Sequence, residues 1–291
     1  MTRSMWTLVL IGAAGALDDA LVKRVAAAAG GGPVRWLSPG EAAELPCPVP
    51  PDMAAITSLI GTAAIDIAIV PTAKRRKRLL IADMDSTIVT GETLDELAAF
   101  AGVGDHVAAI TRRSMNGELD FATALRERVA LLQGLDLSAL ERTWQGVRLT
   151  PGARVLVHTM KSNGATTALV SGGFTWFTGR VAALCGFDAH HANILLHDGH
   201  ALTGKVGEPI LDREAKLATM LQLAAKGGFT AAECLAVGDG ANDLAMIRAA
   251  GLGVAFRAKA VVAAEADARI QASDLRALLF LQGYAKGDFL E

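Results

Sequence analysis

Two aspartates separated by one residue, Asp83 and Asp85, have the spacing of a catalytic carboxylate pair. They directly follow the apolar segment Leu79–Ala82, which predicts a buried strand. Such side chains project to the same side of an extended chain, and the turn after the strand can supply backbone amides to a phosphate. One carboxylate could then attack phosphorus while the other moves a proton. The alternative is a calcium-like or strand-capping acidic turn.

A serine followed by two glycines, Ser171, Gly172 and Gly173, forms the second motif, after the predicted strand Thr167–Val170. Glycine permits close backbone approach, the serine hydroxyl can donate to a phosphate oxygen, and the N-terminus of the following helix favours anions. The same residues could instead form a tight turn without a chemical role, so this motif alone leaves both interpretations open.

The third motif, Gly238–Asp243, again joins a predicted strand to a predicted helix. Asp239 is placed to bind a hard cation through oxygen, and Asp243 can orient a neighbouring cation or support the metal site. Lys216, at the start of another predicted helix, is the fourth candidate residue. A glycine-rich acidic loop is also a common turn composition, and a lone lysine on a helix is usually solvated. Each feature is therefore ambiguous by itself.

The segments that position these motifs alternate between strands and helices from Leu79 onward, which predicts a parallel sheet with helices on both faces. In open parallel sheets the reactive groups gather outside the carboxyl ends of the strands, so the three motifs should converge there. The clearest predicted strands are Leu79–Ala82, Thr167–Val170, Cys234–Val237 and Gly253–Phe256.

A long segment without strand signals, roughly residues 92–150, separates the first two of these strands. An insertion at this point is placed to act as a helical lid that excludes water and selects the substrate. Its first helix should begin just after Glu92 with a capping box, Thr93 to Glu96, and should end at Gly102 and Gly104.

The chain is expected to divide into residues 1–72, a basic linker at 73–78 and a larger domain at 79–291. The first part reads as a small α+β module, with a strand at 6–12, two helices and a final strand at 65–70. The linker run KRRKR could be an anion-binding patch or a solvated junction, and we favour the junction.

The composition of the chain limits which binding partners and which cellular compartment we expect for the protein. A net charge of −2 over 291 residues gives no general attraction to nucleic acid or to an anionic membrane. Cys47, Cys185 and Cys234 are far apart, which predicts core residues in a reducing compartment rather than disulfides or a zinc site. The first apolar run loosely imitates a secretory signal, but we favour a buried strand, and no other run reaches the length of a membrane span. We therefore expect a cytoplasmic protein.

Taken together, the aspartate pair, the serine, the lysine and the Gly-Asp loop resemble the haloacid dehalogenase-like phosphatase superfamily, from residue 79 to about residue 280. The stretches DMDSTIVTGETLDELA, LRERVALLQGL, LVSGGFTWF and VGDGANDLAMI are similar to those of phosphoserine phosphatases. The resemblance implies an α/β protein with a Rossmann-like parallel-sheet core and a helical cap, preceded by a small α+β domain similar to ACT modules. It also implies magnesium-dependent hydrolysis of O-phospho-L-serine through an aspartyl-phosphate, the last step of serine biosynthesis.

The resemblance also gives roles to the motif residues. Asp83 matches the nucleophile, and Asp85 matches the acid that protonates the leaving alkoxide and then deprotonates water. Mg²⁺ would be held by the carboxylates of Asp83 and Asp239 and the main-chain carbonyl of Asp85, with Asp243 in support. The phosphate-binding groups would be Ser171, the amide of Gly172, Lys216 and Asn242.

Substrate selection depends on the predicted lid. Phe121, Leu125 and Arg128 fall on one helical stripe, so Arg128 should face inward and toward an anion. A surface salt bridge from Arg128 to Glu96 or Asp120 is the alternative, and the sequence alone favours it.

The resemblance gives the lid residues a more specific interpretation. Arg128 matches an arginine that binds the substrate carboxylate, and Glu92 matches the group that receives the ammonium. Met115 and Phe121 match residues that close over the site. An amino-acid phosphate is therefore the expected small-molecule substrate.

Two other functions stay open at this point. A related phosphatase or phosphotransferase could act on phosphohomoserine, phosphothreonine or another small phosphate, because discrimination by one methylene is weak. A non-catalytic amino-acid-binding regulator should have lost Asp83, Asp85, Lys216 or Asp239, and the chain retains all of them. The N-terminal part could bind serine, mediate a homodimer or do neither.

Overall fold

The computed structural model of the protein describes residues 6–115 and 118–291, apart from the side chain of Met115. The elements of its N-terminal unit are β1 Trp6–Gly12, α1 Asp19–Ala29, β2 Arg35–Ser38, β3 Ala42–Cys47, α2 Met53–Ile60 and β4 Ile65–Pro71. The four strands form an antiparallel sheet in the order β2-β3-β1-β4. This βαββαβ unit confirms the predicted small α+β fold at the N-terminus.

The second unit is built on a parallel sheet. Its elements are β5 Leu79–Ala82, α3 Thr93–Phe100, α4 Gly104–Met115, α5 Phe121–Ala130, α6 Ser138–Gly146, α7 Ala153–Ser162, β6 Thr166–Phe174, α8 Thr175–Cys185, β7 Ala189–Asn193, β8 Leu195–His197, β9 Leu202–Val206, α9 Arg213–Lys226, β10 Cys234–Gly238, α10 Leu244–Ala249, β11 Leu252–Phe256, α11 Ala260–Ala263, β12 Ala268–Ile270 and α12 Ala277–Leu281. The sheet has the order β12-β11-β10-β5-β6-β7 with all neighbours parallel, which confirms the predicted α/β core. Strand β6 is longer than predicted.

Helices α3 to α6 form the predicted helical insert, which we call the cap. The two segments that flank the cap pair with each other through an antiparallel bridge between Val89 and Leu149, in which the N–H of Thr150 donates to the carbonyl of Ile88 at 2.9 Å. The β8–β9 hairpin also holds the cap, because the backbone of Leu202 forms hydrogen bonds of 2.8 and 2.9 Å with the loop between α5 and α6. The later part of the cap is therefore anchored to the core.

The sheet of the N-terminal unit is covered on both faces, which explains why β1 is apolar from Leu8 to Ile11 instead of alternating. Leu8 and Leu10 belong to the core under α1 and α2. Val9 and Ile11 face the other way and belong to the core of the second unit, where α12 packs on β1. The two units therefore share a hydrophobic interface as well as a linker.

The basic run between the units is only in part the solvated junction that we expected, because two of its five residues are largely buried. The side chain of Arg75, 10% exposed, forms a salt bridge of 2.8 Å with Glu44 and donates to the carbonyl of Leu281. The Nζ of Lys77 donates to the carbonyl of Ala232 at 2.9 Å. These two cations have partners within the protein and are therefore not available to an external anion.

Asp66 joins the N-terminal sheet to the parallel sheet. It lies on the edge strand β4, which packs beside the edge strand β12. Its buried carboxylate accepts hydrogen bonds of 2.8 to 3.2 Å from the backbone N–H groups of Gln271, Ala272 and Ser273. One side chain thus accepts hydrogen bonds from three successive backbone N–H groups, which explains why a charged residue is tolerated within an apolar strand.

Other expectations from composition agree with the structure. Cys47, Cys185 and Cys234 are buried and free. Residues 6–12 form the predicted strand. Within the described ranges, no helix combines the length and the apolar character needed to cross a bilayer.

We predict that Asp66→Ala lowers the free energy of unfolding by about 3 kcal/mol, because three backbone donors lose their acceptor. Urea denaturation measures this change. The matched control is Asp52→Ala, since Asp52 caps α2 at an exposed position and accepts from Ala54 and Ala55. Its loss should cost only about 1 kcal/mol. Equal losses in the two variants would contradict the joining role of Asp66.

Candidate active site

Three neighbouring strands bring the sequence motifs together at the carboxyl edge of the parallel sheet. Strand β5 lies between β10 and β6. Asp83 follows β5, Asp239 follows β10, and Ser171 lies in the extension of β6. The N–H of Asp83 donates to the carbonyl of Val237 at 3.0 Å, which continues the pairing of β5 with β10. The strand pattern in the sequence was therefore sufficient to place the motifs near one another.

Lys216 is the buried cation of this site. It lies in the first turn of α9, which begins after the capping residue Asp212, and its side chain is 1% exposed. Its Nζ lies 2.7 Å from Oδ1 of Asp83 and 2.7 Å from Oδ1 of Asp243. Burial acts to lower the pKa of Lys216, but the two carboxylates outweigh burial and raise it. The lysine is therefore charged at neutral pH.

The carboxylates around Lys216 carry more negative charge than one lysine balances. One carboxylate oxygen from each of Asp83, Asp239 and Asp243 lies within 4.8 Å of the others. Burial, and then the charge of Asp243, raises the pKa of Asp83 well above its usual range despite Lys216. Burial and neighbouring carboxylates raise the pKa of Asp239 to about 6. A buried cluster of oxygen donors with excess negative charge fits a divalent cation.

Asp243 holds neighbouring groups with both of its carboxylate oxygens. Oδ1 accepts from Lys216 at 2.7 Å, and Oδ2 accepts from the N–H of Gly240 at 3.1 Å. This arrangement suits the supporting role predicted for Asp243 and leaves Asp83 and Asp239 as the proposed carboxylate ligands. Asn242 is partly buried in the same turn, Ala241–Asp243.

Asp85 has the environment of a general acid and base. Burial, followed by the nearby charge of Glu92, raises the pKa of Asp85 to about 7. Its Oδ1 accepts a hydrogen bond of 3.0 Å from the backbone N–H of Thr93, and Oγ of Ser171 donates to Oδ2 at 3.4 Å. A carboxyl group with a pKa near neutrality can both release and accept a proton at neutral pH.

The start of α3 corrects the predicted capping box. Thr93 is the first helical residue, and Glu92 precedes it without capping the helix through its side chain. The N–H of Thr93 donates instead to Asp85, which lies outside the helix. A tertiary contact therefore replaces the local cap that the sequence predicted.

The Ser171 motif is an extended bulge rather than a tight turn. Strand β6 continues through it, and the pairing of β6 with β7 shifts register there. The N–H of Gly173 donates to Oγ of Ser171 at 2.9 Å. A Cβ atom on Gly172 would lie 2.9 Å from Cζ of Phe121, so this cap residue lies directly against the bulge. Met115 is the last residue of α4, and its side chain lies outside the described part of the chain.

Arg128 is partly buried in the cap, and no salt bridge between described residues involves it. Its Nε donates to the carbonyl of Ala124 at 3.2 Å. Burial lowers the pKa of Arg128, and the carboxylates of Asp95 and Glu92 act in the opposite direction. Asp120 caps α5 through the N–H of Thr123. The surface salt bridge that the sequence alone favoured is therefore not observed.

Two polar residues near the site were not predicted from the sequence. Ser86 has a positive φ of 54°, and its Oγ donates to Oε1 of Glu92 at 2.6 Å. Thr87 donates through Oγ1 to Oδ1 of Asp239 at 3.4 Å. Both residues follow the aspartate pair directly, so their position in the turn after β5 was a signal that could have identified them.

Fold and site together define a class of enzyme in which an aspartate pair follows one strand of a parallel sheet and a helical cap is inserted after it. The family model of the haloacid dehalogenase-like hydrolases matches residues 77–251, and the chain belongs to this family. Curated proteins to which the chain is similar include phosphoserine phosphatases. The chain is 45% identical to the enzyme of Streptococcus thermophilus over 199 residues, which cover 68% of this chain and 93% of that protein.

Two longer relatives extend the comparison. The chain is 45% identical to the phosphoserine phosphatase of Archaeoglobus fulgidus over 213 residues, covering 72% of this chain and 62% of that protein. It is 43% identical to the enzyme of Streptomyces coelicolor over 235 residues, covering 80% and 57%. The chain thus spans about three fifths of the length of these two relatives.

Solved structures with the same fold include proteins that match both units. A haloacid dehalogenase family hydrolase of Salmonella enterica superposes with a TM-score of 0.86 at 30% identity, covering 96% of this chain and 98% of that one. A probable phosphoserine phosphatase of Vibrio cholerae gives 0.79 at 28% identity, covering 99% and 88%. A phosphoserine phosphatase described as a phospho-aspartyl intermediate analogue gives 0.66 at 38% identity, covering 70% and 98%.

We predict that Mg²⁺ raises the melting temperature of the metal-free protein, because a cation that binds only the folded state stabilises that state. At a Mg²⁺ concentration of a hundred times Kd, the stabilisation is about 2.7 kcal/mol. Asp239→Asn should lose most of this shift. Asp52→Asn, which keeps a capping side chain in the N-terminal unit, should retain it. Thermal unfolding with Mg²⁺ or a chelator measures the effect, and an unchanged shift in Asp239→Asn would exclude that residue as a ligand.

Proposed function

We propose that this protein is a phosphoserine phosphatase that hydrolyses O-phospho-L-serine to L-serine and phosphate, as the last step of serine biosynthesis. The observation that carries the proposal is the buried contact of Lys216 with Asp83, at 2.7 Å, on the sheet edge where Asp85 and Ser171 also meet. A lysine so placed can bind a phosphoryl group directly beside a carboxylate nucleophile. The curated relatives at 45% identity support the same substrate.

In the first half-reaction, a carboxylate oxygen of Asp83 attacks phosphorus, and the bond between phosphorus and the serine oxygen breaks. Lys216 and the N–H of Met84, at 2.7 and 2.8 Å from Oδ1, orient the carboxylate for attack. Asp85 transfers its proton to the departing alkoxide, which is otherwise a poor leaving group. The products are an aspartyl-phosphate and free serine.

In the second half-reaction, Asp85 is a carboxylate and removes a proton from water, whose oxygen attacks phosphorus while the bond to Asp83 breaks. Hydrogen bonds from Thr93 and Ser171 hold Asp85 in place for both proton transfers. Donors around the phosphoryl group stabilise the charge that develops on its oxygens. The proposed donors are Ser171, Gly172, Lys216 and Asn242.

We propose Mg²⁺ as the divalent cation of the acidic cluster. Its protein ligands would be the carboxylates of Asp83 and Asp239 and the main-chain carbonyl of Asp85. Bound Mg²⁺ would offset the repulsion between an anionic nucleophile and an anionic substrate. Asp243 would keep Lys216 in place beside the nucleophile through their contact of 2.7 Å.

The cap carries the groups that we propose select an amino-acid phosphate. Because Arg128 has no ion-pair partner in the described ranges, its guanidinium is available to the substrate carboxylate. Glu92, which Ser86 holds at 2.6 Å, would receive the ammonium group. Phe121, packed against Gly172, would exclude water from the phosphoryl group. A sugar phosphate offers neither of the two charges that these residues bind.

We also infer that the substrate is a free metabolite and that the protein acts in the cytoplasm. The net charge of −2 gives no general attraction for nucleic acid, and free, buried cysteines suit a reducing compartment. For the N-terminal unit, serine binding, a role in a homodimer and neither of these stay open alternatives.

The first test is phosphate release with Mg²⁺ from L-phosphoserine, phosphothreonine, phosphohomoserine and a sugar phosphate. We predict a preference for L-phosphoserine and a loss of roughly a thousandfold or more in kcat for Asp83→Asn, because an amide does not form the aspartyl-phosphate. Asp52→Asn is the control and should keep full activity. Preference for another substrate would overturn the assigned substrate, and an active Asp83→Asn would overturn the nucleophile.

A second test separates carboxylate recognition from phosphate chemistry. We predict that Arg128→Ala lowers kcat/KM for L-phosphoserine by about 10- to 100-fold, because a charged hydrogen-bonding partner is lost. Phosphoethanolamine has no carboxylate, so its turnover should change little. Arg126→Ala removes an exposed arginine of the same helix, which pairs with Glu208, and serves as control. Equal losses for both substrates would show that Arg128 does not bind the carboxylate.

A further inference from the structure

Asn193 is a buried side-chain amide that lies between two elements of the site and has no role in the steps above. It is the last residue of β7, and 2% of it is exposed. A buried amide needs hydrogen-bond partners for both its oxygen and its nitrogen. The partners of Asn193 come from the bulge that contains Ser171 and from the segment that precedes α9.

The orientation of the amide is fixed by these contacts. The backbone N–H of Leu211 can only donate, and it lies 2.7 Å from Oδ1 of Asn193. Nδ2 is then the donor to the carbonyls of Gly172, at 2.9 Å, and Leu211, at 3.4 Å. Asn193 therefore links the backbones of two segments that are far apart in sequence.

On one side, this link holds the bulge of β6. The register of the β6–β7 ladder is interrupted between Val170 and Phe174. The side chain of Asn193 binds the Gly172 carbonyl within this interruption, and the next amide, Gly173 N–H, donates to Oγ of Ser171 at 2.9 Å. Fixing the Gly172 carbonyl therefore also fixes the peptide that holds the Ser171 hydroxyl.

On the other side, the link holds the start of α9. Leu211 directly precedes Asp212, which caps the helix by accepting from the N–H groups of Glu214 and Ala215 at 2.9 and 3.0 Å. The N–H of Lys216 donates to the carbonyl of Asp212 at 3.2 Å. Displacing Leu211 would therefore displace the turn from which Lys216 reaches Asp83.

We propose that Asn193 is a positioning residue. It keeps the Ser171–Gly172 bulge and Lys216 at a fixed distance from each other, so that both reach the same phosphoryl group. The inference rests on the proposed function, because that function gives Ser171 and Lys216 their shared ligand. A buried amide that served stability alone would satisfy its own hydrogen bonds with no effect on ligand affinity. The two roles therefore differ in what happens to phosphate binding when the amide is removed.

The test compares Asn193→Leu, which has a similar volume without polar atoms, with the control Gln282→Met. Gln282 is also a buried amide: it accepts from the N–H of Lys77 at 2.9 Å and donates to the carbonyl of Leu278 at 3.0 Å, at the interface of the two units. Asn193→Ser is a smaller change for use if the leucine variant does not fold. All proteins are measured with Mg²⁺ at a temperature where each is folded.

We expect the Asn193 variants to bind inorganic phosphate about tenfold more weakly and to lose about 10- to 100-fold in kcat/KM for phosphoserine, because displaced donors no longer fit the phosphoryl group. Gln282→Met should have a lower melting temperature but keep the phosphate affinity and the kcat/KM of the unmodified protein. The inference would be overturned if the Asn193 variants have a lower melting temperature but match Gln282→Met in phosphate affinity and in kcat/KM. Failure of the unmodified protein to hydrolyse phosphoserine would refute the proposed function instead, and phosphate affinity would then decide the role of Asn193.

Discussion

The contact of buried Lys216 with Asp83 and Asp243 is the interaction on which the rest of the site depends. An ammonium group with 1% exposure is tolerated only if carboxylates balance its charge and accept its hydrogen bonds. The three residues come from α9, from the turn after β5 and from the turn after β10. Satisfying one buried charge therefore fixes the relative positions of three elements, and removal of either carboxylate would leave the lysine partly uncompensated.

Holding several carboxylates close together in a buried site is electrostatically unfavourable, and the surrounding fold must keep them there. Burial and neighbouring carboxylates raise the pKa values of Asp85 and Asp239 to about 7 and 6, so the ionised forms of both groups are disfavoured there. A rigid sheet is needed to hold such groups close together, and the N-terminal unit contributes by covering its β12 edge through Asp66. The same segment continues to Leu275, whose N–H donates to the carbonyl of Pro151 at 3.1 Å, where the cap rejoins the core. The small domain therefore packs on a segment that also contacts the base of the cap.

The sequence allowed prediction of those features that depend on local pattern. Apolar segments such as Leu79–Ala82 marked the strands, and parallel pairing then implied that the motifs following them converge. Features that depend on tertiary contacts were not predictable: the cap of α3 is supplied by Asp85, and Arg75 is buried against Glu44 rather than solvated. Asn193 was not identified for the same reason, since one asparagine at the end of a strand has no distinctive spacing until its partners are known.

The proposed site is divided between core and cap, and this division would separate the chemistry from the choice of substrate. The core supplies Asp83, the proposed nucleophile, and Lys216, whereas Arg128 and Phe121 belong to cap helix α5. Asp85 belongs to both parts, because its carboxylate accepts from the first amide of α3 and from Ser171 in β6. A change of cap residues could therefore alter which phosphate ester fits without altering the attack on phosphorus. A shift of α3, by contrast, would move Asp85, the proposed proton donor, so the first cap helix has less freedom to vary in position than α5.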